Sequence, residues 1–218
     1  MTKIITNDYS VIKERLYLSV ISKDELESLK EPPVNAIHAD LAVTCRILLG
    51  MKEVNGGIAT ESTPVTEALI ERFGVSSERV KEDAARNSAE IFPGEIKTIE
   101  SILGIPENTM GGPRLYVATN SLRYHGAAVM FYPGMMSAFA RMLEGGYFIL
   151  PSSKHEMILV PDSDMDDVDE LISMVGSVNS QAVEPRDRLT DNAYHFAPDS
   201  GGGRFETAAE YKRRMKER

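Results

Sequence analysis

One cysteine, Cys45, stands in a chain of 218 residues. That excludes an intrachain disulfide and a zinc site built on cysteines, and it suits a reducing compartment. No apolar run approaches the ~20 residues of a membrane-spanning helix. The opening stretch, MTKIITNDYS, lacks the apolar core of a signal peptide. Positive charge is also scarce: 24 lysines and arginines face 33 carboxylates, a net charge of -9. This argues against a large phosphate-binding surface, so neither nucleic acid nor a membrane is the expected partner. The expected location is the cytoplasm.

Several motifs are missing. There is no P-loop and no G-x-G-x-x-G, so a nucleotide site has no support and no cofactor is expected. There is no G-x-S-x-G elbow of a serine hydrolase. The four histidines, His38, His125, His155 and His195, share no tight ligand spacing. A metal site would have to be assembled from distant segments with Asp40, Glu156 or Asp191, and none is expected. The run DSDMDDVDE has six acids in nine residues and starts like a calcium loop. It fails at Asp167, where such a loop needs glycine, and at Ser173, where it needs a bidentate glutamate. Acids there suit the first turn of a helix.

The centre of the chain is YFILPSSKHEMILVP, Tyr147 to Pro161. Runs that are apolar at every position read as strands buried on both faces, placing Ile149, Leu150, Ile158 and Leu159 in the core. Pro151, Ser152, Ser153 and Lys154 form the turn between them. Upstream, Val11–Ile21 and Asp40–Leu49 alternate as strands, and Asn55-Gly56-Gly57 is a turn. Pro64 confines Glu61–Val65 to a sheet edge. Thr63 or Thr66 opens a helix that stops at Gly74, and Ser76 or Ser77 opens another that runs to Ile91. Glu95–Leu103 reads as a third helix. Arg114–Asn120 and Ala127–Tyr132 read as a hairpin, Met135–Leu143 as a helix, and Met165–Val178 as a helix capped by Ser163. A last strand is expected at Leu189–Phe196.

The expected fold is therefore α/β or α+β, a mixed sheet built from successive hairpin–helix units. Residues 1–10 are a tail, 11–197 one domain with a helical insert at about 62–104, and 198–218 a flexible glycine-rich segment with a basic tail helix. The stretches YVATN, GAAVMFYPG, LPSSKHE and LTDNAYHF resemble, in order and spacing, a bacterial (Clostridia-type) family of domains of unknown function with a PSS-x-HE signature. The resemblance covers most of residues 10–197. It implies no activity. It does imply a further N-terminal region ahead of the shared part, and Lys154 stands where the family usually has an apolar residue.

Connectivity suggests a site. If strand 147–150 runs parallel to strand 127–132 through a right-handed crossover, the turn meets the N-terminus of helix 135–143. Ser152, Ser153, His155, Glu156 and Asp191 then cluster at one end of the sheet, near Tyr132 and Gly134, with His125 at the other end. A helix N-terminus there suits an anionic group. The favoured reading is a non-enzymatic module that binds a protein or small molecule through residues such as Tyr132, Gly134 and Lys154, or pairs with a second copy of itself. The alternative is a hydrolase using Ser152 or Ser153 with His155 and an acidic partner.

Overall fold

The computed structural model describes residues 8–54, 57–165 and 167–217. Its fold is α+β. Contacts group it into two compact units, Met1–Pro93 with Phe131–Pro133, and Gly94–Met130 with Gly134–Arg218. The expected turn at Asn55-Gly56 lies outside the described residues.

The first unit runs α1 (Tyr9–Ile12), β1 (Leu16–Ser22), α2 (Lys23–Ser28), β2 (Asn35–His38), β3 (Leu41–Val54), β4 (Gly57–Pro64), α3 (Glu67–Phe73) and α4 (Ser77–Ile91). β3 is the spine. β1 pairs along one edge, and β2 and β4 follow one another along the other. The join between β2 and β4 is filled by Val34 and Val65, which bond to Cys45 and to each other. Pro64 ends β4 on this edge, as its missing N–H requires. The outer edge of β1 is taken by a helix: the Leu18 N–H donates to Ser88 Oγ of α4 at 2.8 Å. Ser88, Ala84 and Val80 of α4 are fully buried. Asp83, also buried, accepts from the Tyr9 hydroxyl (2.8 Å) and Arg79 Nε (2.9 Å). Burial pushes its carboxyl up, but those two bonds together with the charges of Arg79 and Arg86 outweigh burial and hold it below the usual carboxylate range. Burial pushes the Cys45 thiol up to about 12, so it stays protonated and unreactive.

The second unit runs β5 (Gly94–Thr98), α5 (Ile99–Leu103), β6 (Tyr116–Asn120), a 3-10 turn (Gly126–Phe131), α6 (Met135–Met142), β7 (Tyr147–Ser153), β8 (Glu156–Pro161), a 3-10 turn (Asp162–Asp164), α7 (Val168–Ala182), β9 (Tyr194–Ala197), β10 (Arg204–Thr207) and α8 (Ala208–Lys216). The sheet order is β10-β9-β7-β8-β6-β5, with every pairing antiparallel. Phe148, Leu150 and Val160 pack under Leu171 and Val175 of α7 and Ala208 of α8. Tyr147, Ile149, Met157 and Leu159 alternate to the opposite face and are buried too, as their unbroken apolarity requires.

Several expectations are corrected. Residues 11–15, expected in a strand, are helical, so the first strand begins at Leu16. Ala127–Tyr132 is not a strand: its first five residues belong to the 3-10 turn, so the parallel crossover does not form. A short, wholly apolar run suits a buried turn of helix as well as a buried strand. Only the second half of 95–103 is helical. Its first half is the edge strand β5, whose exposure explains its polar residues. The helix after the acidic run starts at Val168, and its N-cap is Asp167 rather than Ser163.

The C-terminal segment carries the tail helix α8 (Ala208–Lys216) and a further strand. Asp199 Oδ1 accepts from the Gly201 and Gly203 N–H groups (2.7 and 2.9 Å), and β10 joins the sheet. Thr207 and Glu210 form a capping box for α8. Beside it a chain of polar contacts runs through the buried His195. His195 Nε2 is 2.9 Å from Asp162, its Nδ1 is 3.6 Å from Glu206, and Arg214 clamps Glu206 at 2.5 Å. Arg214 also lies over the Tyr211 ring.

Arg114 grips Asp164 through Nε at 2.7 Å and a terminal nitrogen at 2.8 Å. The guanidinium holds the Asp164 carboxyl well below its usual range. A carboxylate depressed in the folded state stabilises above the unfolded pKa of ~3.9, and this is lost as pH falls below it. Asp164→Asn should therefore lower thermal stability at neutral pH, and the difference from the parent should shrink from about pH 4 downward. Leu159 is 0 % exposed. Leu159→Ala should cost about 2–5 kcal/mol in chemical denaturation.

Candidate functional site

The hairpin of β7 and β8 turns through two residues, Lys154 and His155, because Ser153 pairs with Glu156; a bulge after Pro151 accommodates Ser152. His155 is thus a turn residue and not the first of the strand. The turn is closed by Ser153 Oγ, which accepts from the His155 N–H at 3.0 Å.

A second loop docks on this turn. β6 runs antiparallel to β8, so the end of β6 meets the start of β8. The loop after β6 is held by Asn120, whose Oδ1 accepts from the Leu122 and Tyr124 N–H groups while its Nδ2 donates to the Tyr124 carbonyl. Arg123 and His125 sit in the left-handed region, φ 50° and 51°, a conformation that non-glycine residues adopt mainly where surrounding contacts force it. The next residue, Gly126, touches the turn. A Cβ there would lie 2.2 Å from Thr119 Oγ1 and 2.3 Å from the His155 carbonyl. Thr119 Oγ1 donates to that carbonyl (2.7 Å), and the Ala127 N–H donates to the Lys154 carbonyl.

His125 is therefore beside His155 and not at the far end of the sheet. The His125 N–H donates to His155 Nδ1 at 3.2 Å. With Nδ1 accepting, the neutral ring carries its proton on Nε2, which faces Asp187 at 3.7 Å. Neither expected serine is bonded to the ring. Ser153 closes the turn, and Ser152 Oγ donates to Glu156 Oε1 at 3.3 Å. A serine nucleophile needs a base within hydrogen-bond reach, and that pair is not assembled here. Asp191 accepts from Asn179 Nδ2 at 2.8 Å. Tyr132 belongs to the first unit, where its hydroxyl donates to the Phe92 carbonyl. Gly134 caps α6 at φ 73°. Among the described residues no group of histidine, cysteine and carboxylate side chains is placed to hold a metal ion.

The open feature of this unit is a groove on the sheet face that carries α7. Register aligns Lys97, Val117, Ile158 and Leu150 across four strands. α7 covers one end of this row, and α5 stands over the other. Between them lie two cavities, of about 210 Å³ and 200 Å³. Both are lined by Ile99 and Ile158, so they adjoin along this face. This explains why Ile158, expected in the core, is only half buried. Glu156 and Arg123 line the first cavity, and Ser152 and Asn179 line the second. The sequence named Ser152 and Glu156 through the turn signature. It missed Asn179, a polar residue within a helix, and Arg123, whose backbone conformation carries no local sequence signal.

A family model described as a family of unknown function, DUF5688, matches residues 2–198. No curated protein and no solved structure matches the chain.

Gly145 has nothing within 4 Å of its Cβ direction. Gly126→Ala should therefore cost about 1–3 kcal/mol through overpacking, with Gly145→Ala close to neutral as the control. Urea midpoints of the two variants check this.

Proposed function

We propose a function for the chain as a member of the DUF5688 family, the family of unknown function to which it belongs: it is a non-enzymatic module that binds a small amphipathic molecule in the groove of its second unit. The observation behind this is the pair of cavities that adjoin at Ile99 and Ile158. Their floor is apolar and their rim holds a few polar groups, the usual composition of a ligand site. Each is below the ~300–1,000 Å³ of drug-sized sites, so the ligand is small. The arrangement at His155 supports binding over hydrolysis, since the ring is engaged by His125 and faces Asp187 without a serine. The lone buried thiol of Cys45 and the resemblance to bacterial chains support a bacterial, cytoplasmic setting. No helix among the described residues is long and apolar enough to cross a membrane.

Methyl-labelled protein tests the reading. Titration with short-chain amphiphiles should shift the methyl resonances of Ile99, Leu150, Ile158 and Met174 together. Ile158→Ser should weaken that binding about tenfold, as expected for losing part of an apolar contact. Shifts confined to the first unit, or none at all, would overturn it.

A further inference from the structure

The sheet of the second unit ends at β5, and the bonding pattern shows what that edge presents. The Ile99 N–H donates to the Leu115 carbonyl at 2.9 Å. That contact continues the register of β5 on β6, in which Lys97 stands opposite Val117 and Glu95 opposite Thr119. Bonded and non-bonded pairs alternate along an antiparallel ladder. Glu95, Lys97 and Ile99 therefore turn their backbone groups toward β6, while Gly94, Ile96 and Thr98 turn theirs away from the sheet. Among the described residues no strand lies beyond them, and none bonds to the N–H or carbonyl of Ile96.

An open row of backbone donors and acceptors is a template for another extended chain, and proteins commonly blunt such a row with charge. Here the charge has both signs. Glu95 and Lys97 project from one face of β5 and pair with each other at 2.8 Å, with both side chains partly exposed. Ile96 projects from the other face and is half buried.

We propose that β5 pairs antiparallel with β5 of a second copy of this chain, about a two-fold axis at Ile96. The contact is then isologous, each chain giving and receiving the same bonds. Ile96 exchanges both of its backbone bonds with its counterpart, and Gly94 and Thr98 exchange theirs crosswise. Directly opposite residues of an antiparallel pair share a face, so Glu95 of each chain meets Lys97 of the other. These are the non-bonded positions of the new ladder, where opposed side chains lie closest. Each carboxylate thus sits between the ammonium of its own strand and that of the second copy. Opposite charges at such positions stabilise a ladder and like charges destabilise it. Sliding the copy to the next compatible register sets Glu95 against Glu95 in one direction and Lys97 against Lys97 in the other. The charge pattern therefore selects the register centred on Ile96, and it selects a second copy as the occupant of the edge. The pairing does not depend on what the groove binds.

Sedimentation of the full chain at rising concentration is the test. The ladder is short, so the dimer belongs to the weak, concentration-dependent class. Glu95→Lys and Lys97→Glu should each weaken association about tenfold or more, because each leaves like charges opposed. Mixed in equal amounts, the two variants should associate again, since each brings the charge that the other lacks. Hydrogen exchange of the parent gives a second readout. The Ile96 amide should become protected as concentration rises, while the Glu95 and Lys97 amides, already bonded to β6, should not change. Ile96→Pro removes an outward N–H and leaves the β6 ladder intact, so this variant should be folded and monomeric. A parent chain that stays monomeric up to about 1 mM overturns the pairing and leaves the edge to an extended segment of another protein. A dimer that neither the charge variants nor their mixture alters overturns it as well, and places the contact on another surface.

Discussion

The second unit depends on one close approach: Gly126 against the turn of the β7–β8 hairpin. Its missing Cβ lets the Thr119 hydroxyl and the His155 carbonyl come together beside it. Because the chain is held there, the loop before it stays at the turn end of the sheet and the residues after it coil into a buried 3-10 turn. The placement of His125 beside His155 follows, as does the position of Arg123 at the groove. The positive dihedrals of Arg123 and His125 are held in place by the Asn120 side chain and by this contact.

The groove is a region of sheet that the helices leave uncovered. α7 and α8 take the apolar residues of β7 and the far half of β8, and α8 is tied to the sheet through Arg214, which pairs with Glu206 of β10. α5 is only five residues long and reaches only part of β5 and β6. Ile158 lies between the two, half exposed. Polar groups at the rim are mostly satisfied within the protein: Glu95 by Lys97, Ser152 by Glu156, Asp191 by Asn179.

The sequence by itself determined the punctuation and the core. The left-handed cap at Gly74, the Ser76 cap and the fully apolar strands Tyr147–Leu150 and Met157–Val160 are local signals, set by backbone dihedrals and by burial. They locate α3, α4 and the central hairpin. The α+β class follows from the same signals, and so does the choice of Ser152 and Glu156 as residues to watch. Tertiary structure decided the rest. Whether 126–131 coils or extends depends on what Gly126 touches. Whether 94–98 and 204–207 are strands depends on an exposed sheet edge offering them partners, since polar residues carry little preference of their own. The open row at Gly94, Ile96 and Thr98 is visible only once β6 has taken the bonds of Glu95 and Lys97, because which backbone groups stay unpaired is a property of the neighbouring strand and not of place in the chain.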